Sequence, residues 1–329
     1  MTAEPPDVNT VEALVADAAA APSLHNAQPW AFRYLRDIGV LRLYADLERA
    51  LPRTDPVNRG LRMGCGAALL NLRVASAAAG LVPVVRLLPD PTHQDFLAEV
   101  DLCGTGPPDG ALARLGPAIR RRHSSRLPFR DEALPAAVRE RLYEAARAEG
   151  AQLSFPGAWH VQAILELVRD AEGWEALKPE VRGETEHWTH TEPSGTPGAA
   201  DGIPGEAFGP RQRGTSAPVR DFAVGRPMPG RSWATFEKNP NIALLGTAHD
   251  EPVDWLRAGQ ALERVLLRAT TDGLVASVTS QPLEWPKIRW AVRDPVSDMA
   301  HVQMVIRLGY GPEGHASPRR PVADLLDVL

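Results

Sequence analysis

The chain has 329 residues, 44% of them hydrophobic, which suits one large domain or two ordinary ones with a sizeable core and excludes wholesale disorder. A formal charge of −5 excludes a chain-wide polyanion-binding footprint, so no nucleic-acid partner is expected. No run of about eighteen apolar residues predicts a membrane span, residues 1–7 lack a secretion-signal pattern, and the two cysteines, Cys65 and Cys103, match no metal or redox spacing; a reduced, cytoplasmic protein is the expectation.

In chain order, the first helix is expected over residues 11–21, with Asn9 or Thr10 as its N-cap and Pro22 as its stop. Short runs at 30–34 and 40–44 read as paired strands, and 51–58 as a loop. Residues 61–79 form a long apolar segment closed by Gly80, which reads as a buried helix. Strands are expected next at 82–88 and 96–103, then a turn-forming stretch at 104–110. The second half has a related plan. Helices are expected at 112–121, 136–149, 159–171 and 255–272, and strands at 152–155, 242–247 and 302–308. The two long helices invite comparison: Leu61-Arg62-Met63-Gly64 opens one and Leu256-Arg257-Ala258-Gly259 opens the other. Each comes after a polar loop, ends at a glycine and precedes a strand. Such a pattern points to an internal duplication, although Ala/Leu-rich helices ending in Gly are common enough to coincide. Between about 183 and 240 the periodicity disappears and Gly and Pro accumulate. Trp188, Phe208, Phe222 and Trp233 are spread through this stretch, which favours a lid packed onto something over a disordered linker.

Three segments carry chemistry. The first runs from Ala21 to Trp30, where Ser23, Asn26 and Gln28 supply short polar side chains beyond the helix stop. They can hydrogen-bond a heteroaromatic ring, or they can be local turn formers. The second is Arg120-Arg121-Arg122-His123-Ser124-Ser125-Arg126. Four guanidinium groups and two hydroxyls suit a phosphate. A basic helix end would also carry arginines, but this run continues into a loop and the apolar Leu127-Pro128-Phe129. The third, Ser317-Pro318-Arg319-Arg320-Pro321, would alone be an ordinary surface tail. Gly64-Cys65-Gly66 sits inside a helix pattern and is no nucleotide fingerprint. His187 and His190 have no third ligand nearby in sequence, so no metal is expected.

In this order and context the three segments resemble the nitroreductase superfamily, and more closely its Acg-like branch of actinobacterial flavoproteins linked to dormancy and hypoxia responses. Asp201-Gly202-Ile203-Pro204, Leu244-Leu245-Gly246-Thr247, the run from Asp254 to Leu267, Ser280-Gln281-Pro282-Leu283-Glu284 and Leu308-Gly309-Tyr310-Gly311-Pro312 extend the likeness over nearly the whole chain. The resemblance implies an α+β nitroreductase fold, in a family whose members are usually homodimers with FMN at the subunit interface. It implies that Arg122, Ser124 and Arg126, with Arg121 beside them, hold the phosphate. Pro22, Ser23, Asn26 and Gln28 match the loop by which the other subunit touches the flavin. Arg319 matches a C-terminal phosphate contact, with Arg320 beside it. Thr279, Ser280 and Gln281 match the stretch approaching the flavin N5 edge, although the usual Glu-Gly is absent there. The Pro-Ser-x-x-Asn loop survives only in the first half and the Arg/Ser motif only in the second. The expectation is therefore a fused pseudo-dimer, monomeric, with one complete FMN site. Its halves would be residues 1–106 and 107–329, the lid inserted in the second. The implied activity is an FMN-dependent oxidoreductase drawing on NAD(P)H, with no catalytic side chain named; a flavin sequestration protein is the competing expectation.

Overall fold

The computed structural model describes residues 4–190, 200–214, 216–223, 226, 228 and 230–329. Helix α1 (Val8–Ala18) begins where the Asp7 carboxylate accepts from the Thr10 backbone N–H at 2.7 Å. The cap is thus Asp7, not Asn9 or Thr10, and the helix lies three residues earlier than expected at each end. Strands β1 (Trp30–Leu35) and β2 (Val40–Ala45) pair antiparallel, with Trp30, Phe32 and Tyr34 fully buried on the inward face of β1. Helix α2 (Arg59–Ala78) comes next, buried along almost all of its length, and leads to β3 (Val84–Leu87) and β4 (Phe96–Asp101).

The single helix expected at 112–121 is two short ones, α3 (Gly110–Ala113) and α4 (Gly116–Ile119). Pro117 has no N–H to continue a helix through Gly116, so the chain restarts there. Then come α5 (Ala136–Arg147), β5 (Gln152–Ser154), α6 (Ala158–Ala176) and α7 (Pro179–His187). Helix α7 runs into the stretch expected to be aperiodic; with Pro179 in its first turn and its apolar side reduced to Val181, it carries little helical signal in sequence. Beyond it, β6 (Thr189–His190) pairs with β7 (Ile203–Pro204), and β8 (Arg211–Gln212) with β9 (Trp233–Ala234). The expected Gly/Pro run at 191–198, with Gly225, Pro227 and Pro229, lies outside the described residues. The rest of the second half is β10 (Asn241–Thr247), α8 (Pro252–Thr271), β11 (Val275–Thr279), α9 (Pro286–Arg289), β12 (His301–Gly309) and β13 (Leu326–Val328). A reciprocal capping box between Glu251 and Asp254 starts α8.

The strands make two main sheets, ordered β13-β1-β2-β4-β3 and β11-β12-β10-β5. Setting β13 aside, both have one scheme: first strand beside second, second beside fourth, fourth beside third, all antiparallel. In both, a helix precedes the first strand and a twenty-residue helix joins the second strand to the third. Those long helices, α2 and α8, pack on each other at the centre. Where they cross, a Cβ on Gly66 would strike the Leu256 carbonyl oxygen and one on Gly259 would strike that of Met63. Only glycine lets the backbones approach so closely. The chain end returns to the first sheet: β13 pairs parallel with β1, Phe32 opposite Leu326.

Candidate active site

A cavity of about 1090 Å³ opens beside the α2–α8 pair. Met63, Leu262, Val278 and Met304 supply apolar wall, and polar groups arrive from loops. The loop after α1 is held in an unusual form. His25, Asn26 and Gln28 have φ of 51°, 55° and 54°, the left-handed region, which costs a non-glycine residue about 1–2 kcal/mol. Side-chain bonds offset that cost. Ser23 Oγ accepts from the Gln28 N–H at 2.9 Å. Asn26 Nδ2 donates to the Gly202 and Pro318 carbonyls, while its Oδ1 accepts from Arg319 at 2.9 Å. Gln28 Nε2 donates to the Ala200 carbonyl, and Gln28 Oε1 accepts from the Arg320 N–H at 2.8 Å.

The Arg/Ser segment is laid flat by a buried anchor. Arg307, fully buried on β12, pairs with Glu237 at 2.5 and 2.7 Å and donates to the Leu127 carbonyl. Its guanidinium carbon stands 3.5 Å from the centre of the Phe129 ring, and Phe129 N–H donates to Glu237. Side chains at Gly309, Gly311 or Gly314 would collide with Phe129 or Ser124, so glycine there lets the segment lie close. Ser125 N–H donates to the Ala276 carbonyl, and Ser124 bridges to the same strand end.

Three guanidinium groups, Arg122, Arg126 and Arg319, line the cavity together with Ser124. Arg122 lies 3.3 Å from the fully buried Glu263 carboxylate of α8 and donates to the Ala20 carbonyl. Arg319 also donates to Ala20 and Ala21 carbonyls. Burial and the neighbouring Arg122 push its pKa down to about 9. Arg126 is half-buried. It donates to the Ala207 carbonyl at 2.9 Å, its guanidinium lies over Phe222, and no carboxylate pairs with it among the described residues. Burial and Arg220 bring its pKa down to about 10. A half-buried cation with no carboxylate partner among the described residues, in a cavity also lined by Arg122, Arg319 and Ser124, suits a phosphate or similar anion. The apolar wall beside it suits a flat ring.

The segment after α7 closes one side. Ile203, Arg220 and Phe222 line the cavity, and Ile203, Phe208 and Phe222 share a small core. Arg220 is clamped between Glu175 at 2.7 Å and Glu284 at 2.9 Å. Glu284 accepts from Ser280 Oγ, Gln281 Nε2 donates to Glu175, and Thr279 Oγ1 donates to the Pro218 carbonyl. His25 stands edge-on to Phe222, with neither ring nitrogen hydrogen-bonded to a described residue. Burial, then Arg220 and Arg126, holds its pKa well below the usual imidazole range.

Of the residues singled out in sequence, Pro22, Ser23, Asn26, Arg122, Ser124, Arg126, Thr279, Ser280 and Arg319 line this one cavity. Gln28, Gln281 and Arg320 do not; their polar groups are spent on the loop, the second-half network and the tail. Arg121 faces a separate pocket of about 100 Å³. Sequence reasoning missed His25, Arg220 and Glu284, because His25 gains its place from the distant Phe222, Arg220 lies in a loop with no periodicity, and Glu284 is set by that arginine. His187 and His190 join no group of three metal-binding side chains among the described residues. No described helix is long and apolar enough to cross a membrane.

Glu263 yields a pH prediction. Burial pushes its pKa up to about 7, against the opposing pull of Arg122. A carboxyl raised above its unfolded value binds its proton more tightly in the folded state. Its stabilising contribution is therefore present at low pH and lost as pH rises through about 7. Denaturant titrations between pH 5 and 8 should show stability falling with pH in the wild type, with a shallower fall in Glu263→Gln.

The chain is 34% identical to a Mycobacterium tuberculosis protein provisionally named NAD(P)H nitroreductase Rv3131, over 98% of this chain and 92% of that one. It is 27% identical to the provisionally named NAD(P)H nitroreductase acg of the same organism, over 97% of this chain and 96% of that one. A solved structure described as a nitroreductase from Anabaena variabilis superposes with a TM-score of 0.48 at 12% identity, covering 94% of this chain and 90% of that one. No family model matches the chain.

Proposed function

The chain belongs to the nitroreductase family, and from that premise we propose that it binds FMN and acts as an oxidoreductase drawing on NAD(P)H. The observation that carries this reading is the set of Arg122, Ser124, Arg126 and Arg319 lining one cavity together with the apolar Met63, Leu262, Val278 and Met304. In that arrangement the guanidinium groups take the phosphate as charge-assisted donors. Pro22, Ser23, Thr279 and Ser280, which line the same cavity, would hold the flavin ring. Bound flavin supplies the redox chemistry; the protein supplies binding, orientation and exclusion of water. Mixing purified, flavin-loaded protein with NADH or NADPH without oxygen should bleach the flavin absorbance within seconds to minutes. A flavin that stays oxidised under both donors, yet is reduced by dithionite, would sink the reductase reading.

A second reading, FMN sequestration, is favoured by one feature. Described residues after α7 are tied to the rest of the chain: Asn26 and Gln28 bond to Gly202 and Ala200, Arg49 to Asp201 at 2.7 Å, and Arg220 to two buried carboxylates. A cover held this firmly would deny a nicotinamide its place over the ring.

We also read the chain as a fused pair. The shared strand order of the two sheets supports it, as do the equivalent long helices and the crossing of the C-terminal strand into the first sheet. The halves, 1–106 and 107–329, both contribute to a single site, the first through the loop after α1 and the second through the Arg/Ser segment, Thr279–Ser280 and Arg319. In the second half the turn between α5 and β5 is too short to hold a second flavin loop. A chain that carries its own partner needs no second subunit. Light scattering after size exclusion should give a mass near the 35.6 kDa of one chain; a stable dimer would remove the main functional argument for fusion.

A further inference from the structure

The cavity lies at the upper end of the range for single-ligand sites. Sites for drug-sized ligands span roughly 300–1,000 Å³, and this one reaches about 1090 Å³. Its far lip is built from α6 and the turn at Trp290–Val292, which are joined by a hydrogen bond between His160 Nε2 and the Val292 carbonyl at 3.0 Å. Each side of that lip carries a tryptophan in an unusual state: Trp159 is 77% exposed and Trp290 is 76% exposed, yet both line the cavity. A single exposed aromatic residue is unremarkable, but two on the lip of one cavity, on bonded elements, make a stacking platform. Helix α6 sets the chemistry beside it. Trp159, Glu166 and Asp170 fall at helical spacing on one stripe, and all three line the cavity. Arg293 faces the same space from the other side.

We propose that this lip is a purine-nucleoside subsite, which holds the adenosine end of the dinucleotide donor while its nicotinamide reaches into the cavity. The inference rests on the oxidoreductase reading above. A purine offers a flat π-face for the indoles. Its exocyclic amine and the ribose hydroxyls are donors, matched by the carboxylates of Glu166 and Asp170. Arg293 supplies a cation for the linking diphosphate. An apolar acceptor alone would have no use for paired carboxylates beside the indoles.

Two measurements on the full, flavin-loaded chain test it. The first needs no turnover: AMP should quench tryptophan fluorescence saturably, with the quench reduced in Trp159→Phe and in Trp290→Phe. Absence of a saturable quench, or one untouched by both changes, overturns the subsite. The second compares NADH with reduced nicotinamide mononucleotide, which lacks adenosine. Base stacking on an aromatic side chain is worth about a tenfold change in binding or more, so KM for the mononucleotide should exceed that for NADH by about tenfold. Trp159→Ala and Trp290→Ala should narrow this gap by raising KM for NADH with little change in kcat. Equal KM values for the two donors in the wild type overturn the proposal while leaving the reductase reading intact. An AMP quench with no flavin reduction by either donor overturns the reductase reading and with it the donor role of the lip, leaving only nucleoside binding.

Discussion

Arg126→Met is expected to yield a folded protein that has lost most of its flavin. Arg126 has no carboxylate partner among the described residues, so its removal strands no buried anion. Its loss removes hydrogen bonds to a charged group, worth about 1.5–3 kcal/mol, which corresponds to roughly 10- to 100-fold weaker binding. The ratio of flavin to protein absorbance after gel filtration reads the effect directly. Arg122→Ala should also shed flavin, but by a different balance, because it leaves Glu263 fully buried without its cation. Breaking a buried pair from one side costs about 3–5 kcal/mol, reduced here to the extent that Glu263 takes up a proton. The two variants therefore separate flavin affinity from stability. If both keep a full complement of flavin, the phosphate site has been placed wrongly.

Glu237→Ala should produce a large loss of stability, about 3–5 kcal/mol, in urea unfolding. The substitution leaves Arg307 charged, fully buried and without either of its carboxylate contacts. It also removes the acceptor of the Phe129 N–H, so the segment carrying Ser124 and Arg126 loses its footing. Glu237→Gln keeps an acceptor and should lose less. A fall below about 1 kcal/mol for the alanine variant would mean that the packing of Phe129 on Arg307 fixes the segment without the ion pair.

Much of the framework is legible in the sequence because its signals are local. The apolar run that becomes α2 needs no distant partner to declare itself, nor do the alternating residues of β1. The three polar segments are legible as chemistry, and many of their residues share one cavity wall. The rest depends on non-local pairing. Residues 326–328 are too few to show a strand pattern and become one only beside β1. Arg220 looks like any loop arginine until Glu175 and Glu284 close around it. The family resemblance assigns Gln28 and Arg320 to a ligand, yet the loop's left-handed backbone makes each the other's partner. Trp159 reads as the start of a helix, and nothing short of the fold places it on the cavity that Trp290 also lines.

The pairing of β13 with β1 bears on how the protein is made. The edge of the first sheet is filled by a strand that leaves the ribosome long after the rest of that sheet, Phe32 waiting for Leu326. Until residues 326–328 emerge, β1 presents unpaired backbone groups on one side, the kind of edge that recruits other chains. The first half can form its own helix and hairpin contacts early, but it cannot be finished before the second half has been made. Recombinant yield should therefore depend on keeping β13 free to dock. A stop codon ahead of Leu326, or a bulky fusion placed directly against β13, would threaten the folding of the half of the chain that was made first.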